Sequence, residues 1–284
     1  MEPMYYSAPG MLDALTALLR RSGHNADMID IILGMNAPWM LVHENGAYIA
    51  GAGLFQPQWL NLYLQPHGLC MRQATLPSAD IPCRLRTMEN AILPLQLGKE
   101  RPRLQLFTGY AQGRYHFQAI RPDGSHEELS LSLPMLRRRL PEAVRLCTVE
   151  ACEPKPVDFI PLLLTTLENI RAYQADLLAA WERTITRGDL RQMRDPLFRA
   201  LMHDLRPMTF LTGDSILADE LELLEHDFRH IFTANDPERQ PLSLRLPKGS
   251  IKRCLLWMYE DVLDRLYQLG VDETLLEPYL TLRR

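Results

Sequence analysis

Three positions in the first half of the sequence are candidates for a catalytic nucleophile or base. Ser7 precedes the first helical pattern, Cys70 lies three residues after His67, and His116 stands between two aromatic residues in RYHF. A nucleophile needs a base within hydrogen-bonding reach and a third group that orients the base. No single stretch supplies all three groups, so each residue is a weak catalytic candidate. The alternative role is helix capping for Ser7, core packing for Cys70 and an ordinary position on the sheet surface for His116.

Metal and phosphate chemistry have weaker signals. His226 and His230 are four residues apart with Glu222 on the same helix face, a spacing that can hold a metal, but the HExxH pattern and a third ligand are missing. GAGLF, which contains Gly51 and Gly53, is too short for a dinucleotide-binding loop. We therefore predict no metal site and no cofactor.

Composition predicts a globular cytoplasmic protein. The chain has 284 residues and a formal net charge of −4, which argues against nonspecific binding to nucleic acid or to an anionic membrane. We expect no membrane span, because no apolar run approaches the roughly 20 residues that a spanning helix needs. MEPMYYSAPG lacks the features of a secretory signal. We expect reduced thiols, because the five cysteines are odd in number and include no CxxC pair.

The predicted secondary structure changes near ACEPKPVDF, from mixed helices and strands to helices alone. We interpret this segment as a linker because proline cannot donate a backbone hydrogen bond. Residues 1–152 alternate helical and strand patterns: a leucine-rich first helix ends at Gly23, ENG joins a hairpin, and RLQLFTGY and GRYHFQAI form paired strands. Residues 153–284 show long helical patterns. We predict an α+β fold with an N-terminal domain over 1–152 and an all-helical domain over 153–284.

The segments LDALTALLRRSGH, LQLFTGYAQGRYHFQAIRPDG and LSLSLPMLRRRL follow the order seen in papain-like bacterial domains. The chain resembles the bacteriocin-leader-peptidase-like group and most closely its butirosin-biosynthesis acyltransferase-like branch, which has a helical C-terminal extension. The resemblance implies an N-terminal domain in which a helix packs on an antiparallel sheet. TGY followed by a hairpin and DG is its best local feature.

The resemblance also implies where a catalytic triad would stand. Counting along the motifs places the nucleophilic cysteine at Gly10, the histidine base at Arg103 and the orienting acid near Ala119, with an oxyanion donor near Met4. No cysteine precedes Cys70, so the nucleophile is missing in any alignment. Arginine does not act as a base at neutral pH.

Two functional hypotheses follow from the resemblance. The first is a catalytically degenerate papain-like protein that binds an acyl, peptide or carrier-protein-tethered ligand in bacterial nonribosomal-peptide or polyketide-type specialised-metabolite biosynthesis. The alternative is an active acyltransferase or amide-bond hydrolase with a substituted nucleophile. We favour a non-enzymatic role. The predicted ligand-binding residues are Met4, Tyr6, Ser7, Gly10, Met11, Arg103 and His116.

A basic cluster in LRRRL, Arg137–Arg139, has two interpretations. It is a solvated helix face, or it is a docking patch for an acidic partner such as an acyl-carrier protein. A homodimer is left open, and no nucleic-acid or membrane partner is expected.

Overall fold

The structure is a computed structural model that describes residues 10–97, 102–120, 125–183, 198–212, 215–233 and 248–283. It has an α+β fold with two compact units. One unit contains the chain up to Met35 and Phe55–Val157, and the other contains Asn36–Leu54 and the chain from Asp158 onward. In the described part of the chain, no helix has the length and apolar character required to cross a membrane.

The elements are as follows. The strands are β1 (Leu41–Glu44), β2 (Ala47–Ala50), β3 (Leu69–Pro77), β4 (Ala91–Leu95), β5 (Arg103–Ala111), β6 (Arg114–Ile120), β7 (His126–Leu131) and β8 (Ala143–Ala151). The helices are α1 (Met11–Arg21), α2 (Met28–Gly34), α3 (Pro57–Leu64), α4 (Ile81–Leu85), α5 (Leu133–Arg139), α6 (Ile160–Arg183), α7 (Thr209–Thr212), α8 (Ser215–Thr233), α9 (Lys248–Gln268) and α10 (Glu273–Leu276). A π-helical segment covers Ala200–Leu205.

The first unit is built on an antiparallel sheet of six strands in the order β3-β8-β4-β5-β6-β7. One face of the sheet packs against α4 and α5, and α1 packs on β4 and β5. The core on the α4 and α5 face is apolar and includes Leu93, Leu95, Phe107, Phe117 and Leu136. Side chains alternate between the two faces along each strand, so the odd or even position of a residue (its parity) decides which helices its side chain contacts.

Helix α1 follows directly from its sequence pattern. Its leucines, among them Leu12, Leu15 and Leu19, are fully or almost fully buried. Gly23 has φ +82°, and the following His24 N–H donates to the carbonyl of Leu19 at 3.0 Å. This is a Schellman end in which glycine adopts the left-handed conformation at low cost, and it confirms the predicted stop at Gly23.

The second unit contains the β1–β2 hairpin together with the later helices. Asn45 and Gly46 at its turn have φ of 52° and 77°, as a tight hairpin turn requires, which confirms the ENG prediction. The Leu41 N–H donates to the Thr166 hydroxyl at 3.2 Å, and the Asn169 amide donates to the Leu41 carbonyl at 2.7 Å. These bonds to α6 explain why a segment within the predicted 1–152 domain belongs to the second unit.

The glycines of GAGLF serve close packing within this unit. Gly51 has φ +44°, and a Cβ added there would overlap the carbonyl oxygen of Asp204 in the π-helical segment. A Cβ on Gly53 would lie 2.9 Å from an Asp204 carboxylate oxygen. Gly51 therefore lets one piece of backbone approach another, and Gly53 leaves room for the Asp204 side chain, so both glycines have a structural role.

Candidate functional site

The start of α1 lies against the start of β5, as a helix on a sheet would place it. Gly10 is the N-cap residue of α1, and its carbonyl accepts a hydrogen bond from the Ala14 N–H at 3.1 Å. A Cβ added to Gly10 would lie 3.6 Å from the Leu104 carbonyl oxygen and 3.8 Å from the Leu104 Cβ. Gly10 therefore faces Leu104 at ordinary van der Waals distance.

The structure does not bring Arg103 to Gly10. Arg103 stands directly opposite Leu95, whose side chain is in the core beneath α4 and α5. Directly paired residues point to the same face, so Arg103 points to that face and its neighbour Leu104 points toward α1. The residue beside Gly10 is thus one position later than the motif count predicted, and it has an aliphatic side chain.

The same one-residue shift applies on β6. Ala119 has the parity of Phe117, which is in the core beneath α4 and α5, so Ala119 points away from α1. Gln118 is on the α1 face, opposite Leu106 on β5. The residue on the α1 face at this point of β6 is therefore an amide, which can accept and donate hydrogen bonds.

His116 is half-buried between the buried Tyr115 and Phe117 and points to the opposite face from both, as its position in RYHF predicts. It pairs with Gly109 of β5, next to an irregularity in the register between Phe107 and Gly109. On β6 it therefore shares the α1 face with Gln118.

A polar group beside α1 was missed by the sequence reasoning. The Gln118 side-chain amide donates to His126 Nδ1 at 2.7 Å. His126 also interacts electrostatically with Asp13 in the first turn of α1. Burial raises the pKa of Asp13, and the proximity of His126 opposes that rise. The alternation of side chains along β7 is the signal that could have placed His126 on this face.

The other predicted residues are not gathered at this point. Cys70 is on β3, opposite Glu150 of β8, and two strands separate β3 from β5 in the sheet order. Met11 is buried in α1. Met4, Tyr6 and Ser7 lie outside the described residues.

The chemistry available at the described site is limited. Gly10 has no nucleophilic side chain and Leu104 cannot accept a proton, while Asp13, Gln118 and His126 form a polar rim. Among the residues that the structure describes, no group of three histidine, cysteine or acidic side chains could hold a metal ion. The side chain of His230 lies outside the described part, so the predicted spacing with His226 has no geometry here.

The fold and this site define an α+β protein in which a helix begins against an antiparallel sheet, with glycine at the helix N-terminus and leucine on the facing strand. No protein-family model matches the chain, and no curated protein sequence matches it.

Proposed function

We propose that the first unit is a catalytically degenerate papain-like domain that binds an acyl, peptide or carrier-protein-tethered ligand in the cytoplasm, in bacterial specialised-metabolite biosynthesis. The observation that carries the proposal is the pairing of Gly10 with Leu104. In a papain-like enzyme these neighbouring positions would hold the cysteine and the histidine. The helix and strand are retained while both reacting side chains are replaced.

The start of α1 offers donors to a ligand oxygen. The first intrahelical bond that reaches back to Gly10 comes from Ala14, so the amides of residues 11–13 have no acceptor within the helix. The helix dipole adds a partial positive charge at the same end. Because Gly10 has no side chain, a carbonyl oxygen can approach these amides closely.

A second feature supports recognition of a ligand delivered by a partner. In α5 the side chains of Met135, Arg137 and Arg138 are exposed, while Leu136 is fully buried. A short helix with one apolar and two basic exposed side chains suits an acidic protein surface. We assign this helix as the docking element for an acidic carrier protein.

The test is a titration of the full-length protein with an acyl-pantetheine thioester and with short peptides, followed by calorimetry. Gly10→Met would place a side chain between the start of α1 and Leu104, in the proposed site, and is expected to weaken binding at least tenfold. Arg21→Met, at the exposed far end of the same helix, is the matched control and is expected to bind normally. Binding that is absent, or that is equal in all three proteins, would remove the proposal.

The alternative of an active acyltransferase or hydrolase is favoured by one specific observation. Asp13 and His126 bring a carboxylate and an imidazole close enough to interact electrostatically beside the α1 N-terminus, and general acid–base catalysis uses groups of these two types. The discriminating experiment is incubation with an activated acyl probe and peptide mapping by mass. A stoichiometric adduct at Ser7, Cys70 or Cys83 would favour catalysis, and an unmodified protein would favour binding.

A further inference from the structure

Two cysteines meet on neighbouring strands, far from the site at α1 in the strand order. Cys70 is opposite Glu150 in the β3–β8 pairing, and the Cys152 N–H donates to the Gly68 carbonyl at 2.8 Å. Cys152 therefore stands opposite Gly68, which places it diagonally across from Cys70 on the same face of the sheet.

The two side chains are close enough to influence each other electrostatically, and both residues are partly exposed. The other cysteines differ from this pair: Cys83 is exposed on α4, while Cys147 and Cys254 are buried. Cys70 and Cys152 thus combine proximity to another thiol with access to solvent.

The backbone on either side fixes this placement. The Lys155 N–H donates to the Gln65 carbonyl at 3.0 Å, so the chain after β8 continues alongside the segment before β3. A Cβ added to Gly68 would lie 3.3 Å from the Pro154 ring, so the two segments run close together. Hydrogen bonds therefore hold the backbones that carry the two cysteines beside each other.

We propose that Cys70 and Cys152 are a site of reversible oxidation, at which a hydroperoxide converts the two thiols to an intramolecular disulfide. The Cys70 sulfur attacks one peroxide oxygen, the O–O bond breaks, and a sulfenic acid and one molecule of water (for hydrogen peroxide) are formed. The Cys152 sulfur then displaces the hydroxyl group from the sulfenic sulfur as a second water. The two thiols together lose two electrons, and these electrons reduce the peroxide.

The roles within the pair follow from the environment of Cys152. Burial raises its pKa, and the neighbouring Cys70 thiol raises it further. Because the thiolate attacks peroxide and a raised pKa lowers the thiolate fraction, we assign the attack on peroxide to Cys70 rather than to Cys152.

Closing the bond requires only a small movement. Diagonal neighbours on paired strands have Cα atoms about 7–8 Å apart, and a disulfide joins Cα atoms up to about 7 Å apart. Cys70 and Cys152 lie at the end of the β3–β8 pairing, so a local backbone adjustment of about 1 Å there brings the Cα atoms within this limit.

The test treats the reduced full-length protein with a small excess of hydrogen peroxide, followed by alkylation and peptide mapping without reductant. We expect a linked peptide containing Cys70 and Cys152 that has lost two hydrogen atoms, and its disappearance on adding dithiothreitol. Cys152→Ser should instead leave a sulfenic acid on Cys70 that dimedone captures. Cys83→Ser, which removes an exposed thiol outside the pair, should form the link normally.

The proposal is overturned if peroxide oxidises Cys83 while no linked peptide forms. An independent measurement uses the unmutated protein and phenylarsine oxide, which needs two adjacent thiols. It should protect Cys70 and Cys152 together from alkylation, and equal alkylation of both with and without the arsenical would also contradict the proposal.

Discussion

Replacing Gly51 with alanine gives a sharp test of how the second unit is packed. The added Cβ would overlap the carbonyl oxygen of Asp204, lie 2.7 Å from its carbonyl carbon and lie 3.1 Å from the Leu205 Cα. All three atoms are backbone atoms, so no side-chain rotation can relieve the overlap. Accommodating the methyl group requires the π-helical segment to move.

The magnitude separates into two contributions. Gly51 has φ +44°, and an L-residue in the left-handed region costs about 1–2 kcal/mol. Overpacking against fixed backbone adds about 1–3 kcal/mol or more. Gly46 has φ +77° with nothing within 4 Å of its added Cβ, so Gly46→Ala carries the first contribution alone. The difference between the two variants should therefore be about 2 kcal/mol, the middle of that range, in the free energy of unfolding.

The assay is urea unfolding of the full chain, followed by circular dichroism and by tryptophan fluorescence. Two compact units predict two transitions, and the one assigned to the second unit should move to lower urea. With an m-value of about 2 kcal/mol/M, Gly51→Ala should unfold about 1 M urea earlier than Gly46→Ala. Gly53→Ala should be intermediate, because its Cβ meets the ends of the Ile49 and Asp204 side chains. Equal midpoints for Gly51→Ala and Gly46→Ala would refute the packing argument.

Three further predictions test the first unit and the cysteines. Burial raises the pKa of Asp13, so its contribution to stability is present below the unfolded value of about 4 and is lost as the pH rises through the folded value. Asp13→Asn should consequently stabilise the protein at pH 7 and not at pH 3, and equal urea-midpoint shifts at both pH values would contradict this. Asn61 bonds both backbone groups of Met71, at 3.1 and 2.6 Å, so Asn61→Ala should lower the unfolding free energy by about 1–3 kcal/mol; an unchanged urea midpoint would exclude that role. Burial raises the pKa of Cys147 to about 11 and that of Cys254 to about 12, so iodoacetamide at pH 8 should label them only after unfolding, whereas mass spectra showing rapid native labelling would place both thiols at the surface.

Local features of the fold could be predicted from the sequence because their causes are local. Gly23 ends α1 through its own positive φ, and Asn45 with Gly46 forms the hairpin turn in the same way. A turn depends on two or three neighbouring residues, and their types are visible in the sequence. The α+β character follows from helical and strand periodicities of the same kind.

The unit to which the hairpin belongs could not be predicted in this way. Its Leu41 backbone is bonded to Thr166 and Asn169, which are more than 120 residues away in sequence. No local pattern in WMLVH indicates those partners. Residues 36–54 therefore belong to the second unit because of long-range hydrogen bonds, whereas their place in the chain suggested the first unit.

The difference at β5 between the motif count and the structure has another physical cause, and it bears on the proposed ligand. Strand residues alternate between faces, so a shift of one position exchanges Arg103 for Leu104 beside Gly10. An arginine there would make the helix N-terminus strongly cationic and would favour a phosphate or carboxylate. Under the proposed function, a leucine makes the wall apolar, so the α1 amides would bind a neutral carbonyl while the acyl chain behind it packs on aliphatic surface. The proposed function with this geometry therefore predicts that, in the calorimetric titration, a simple carboxylate binds more weakly than the acyl-pantetheine thioester.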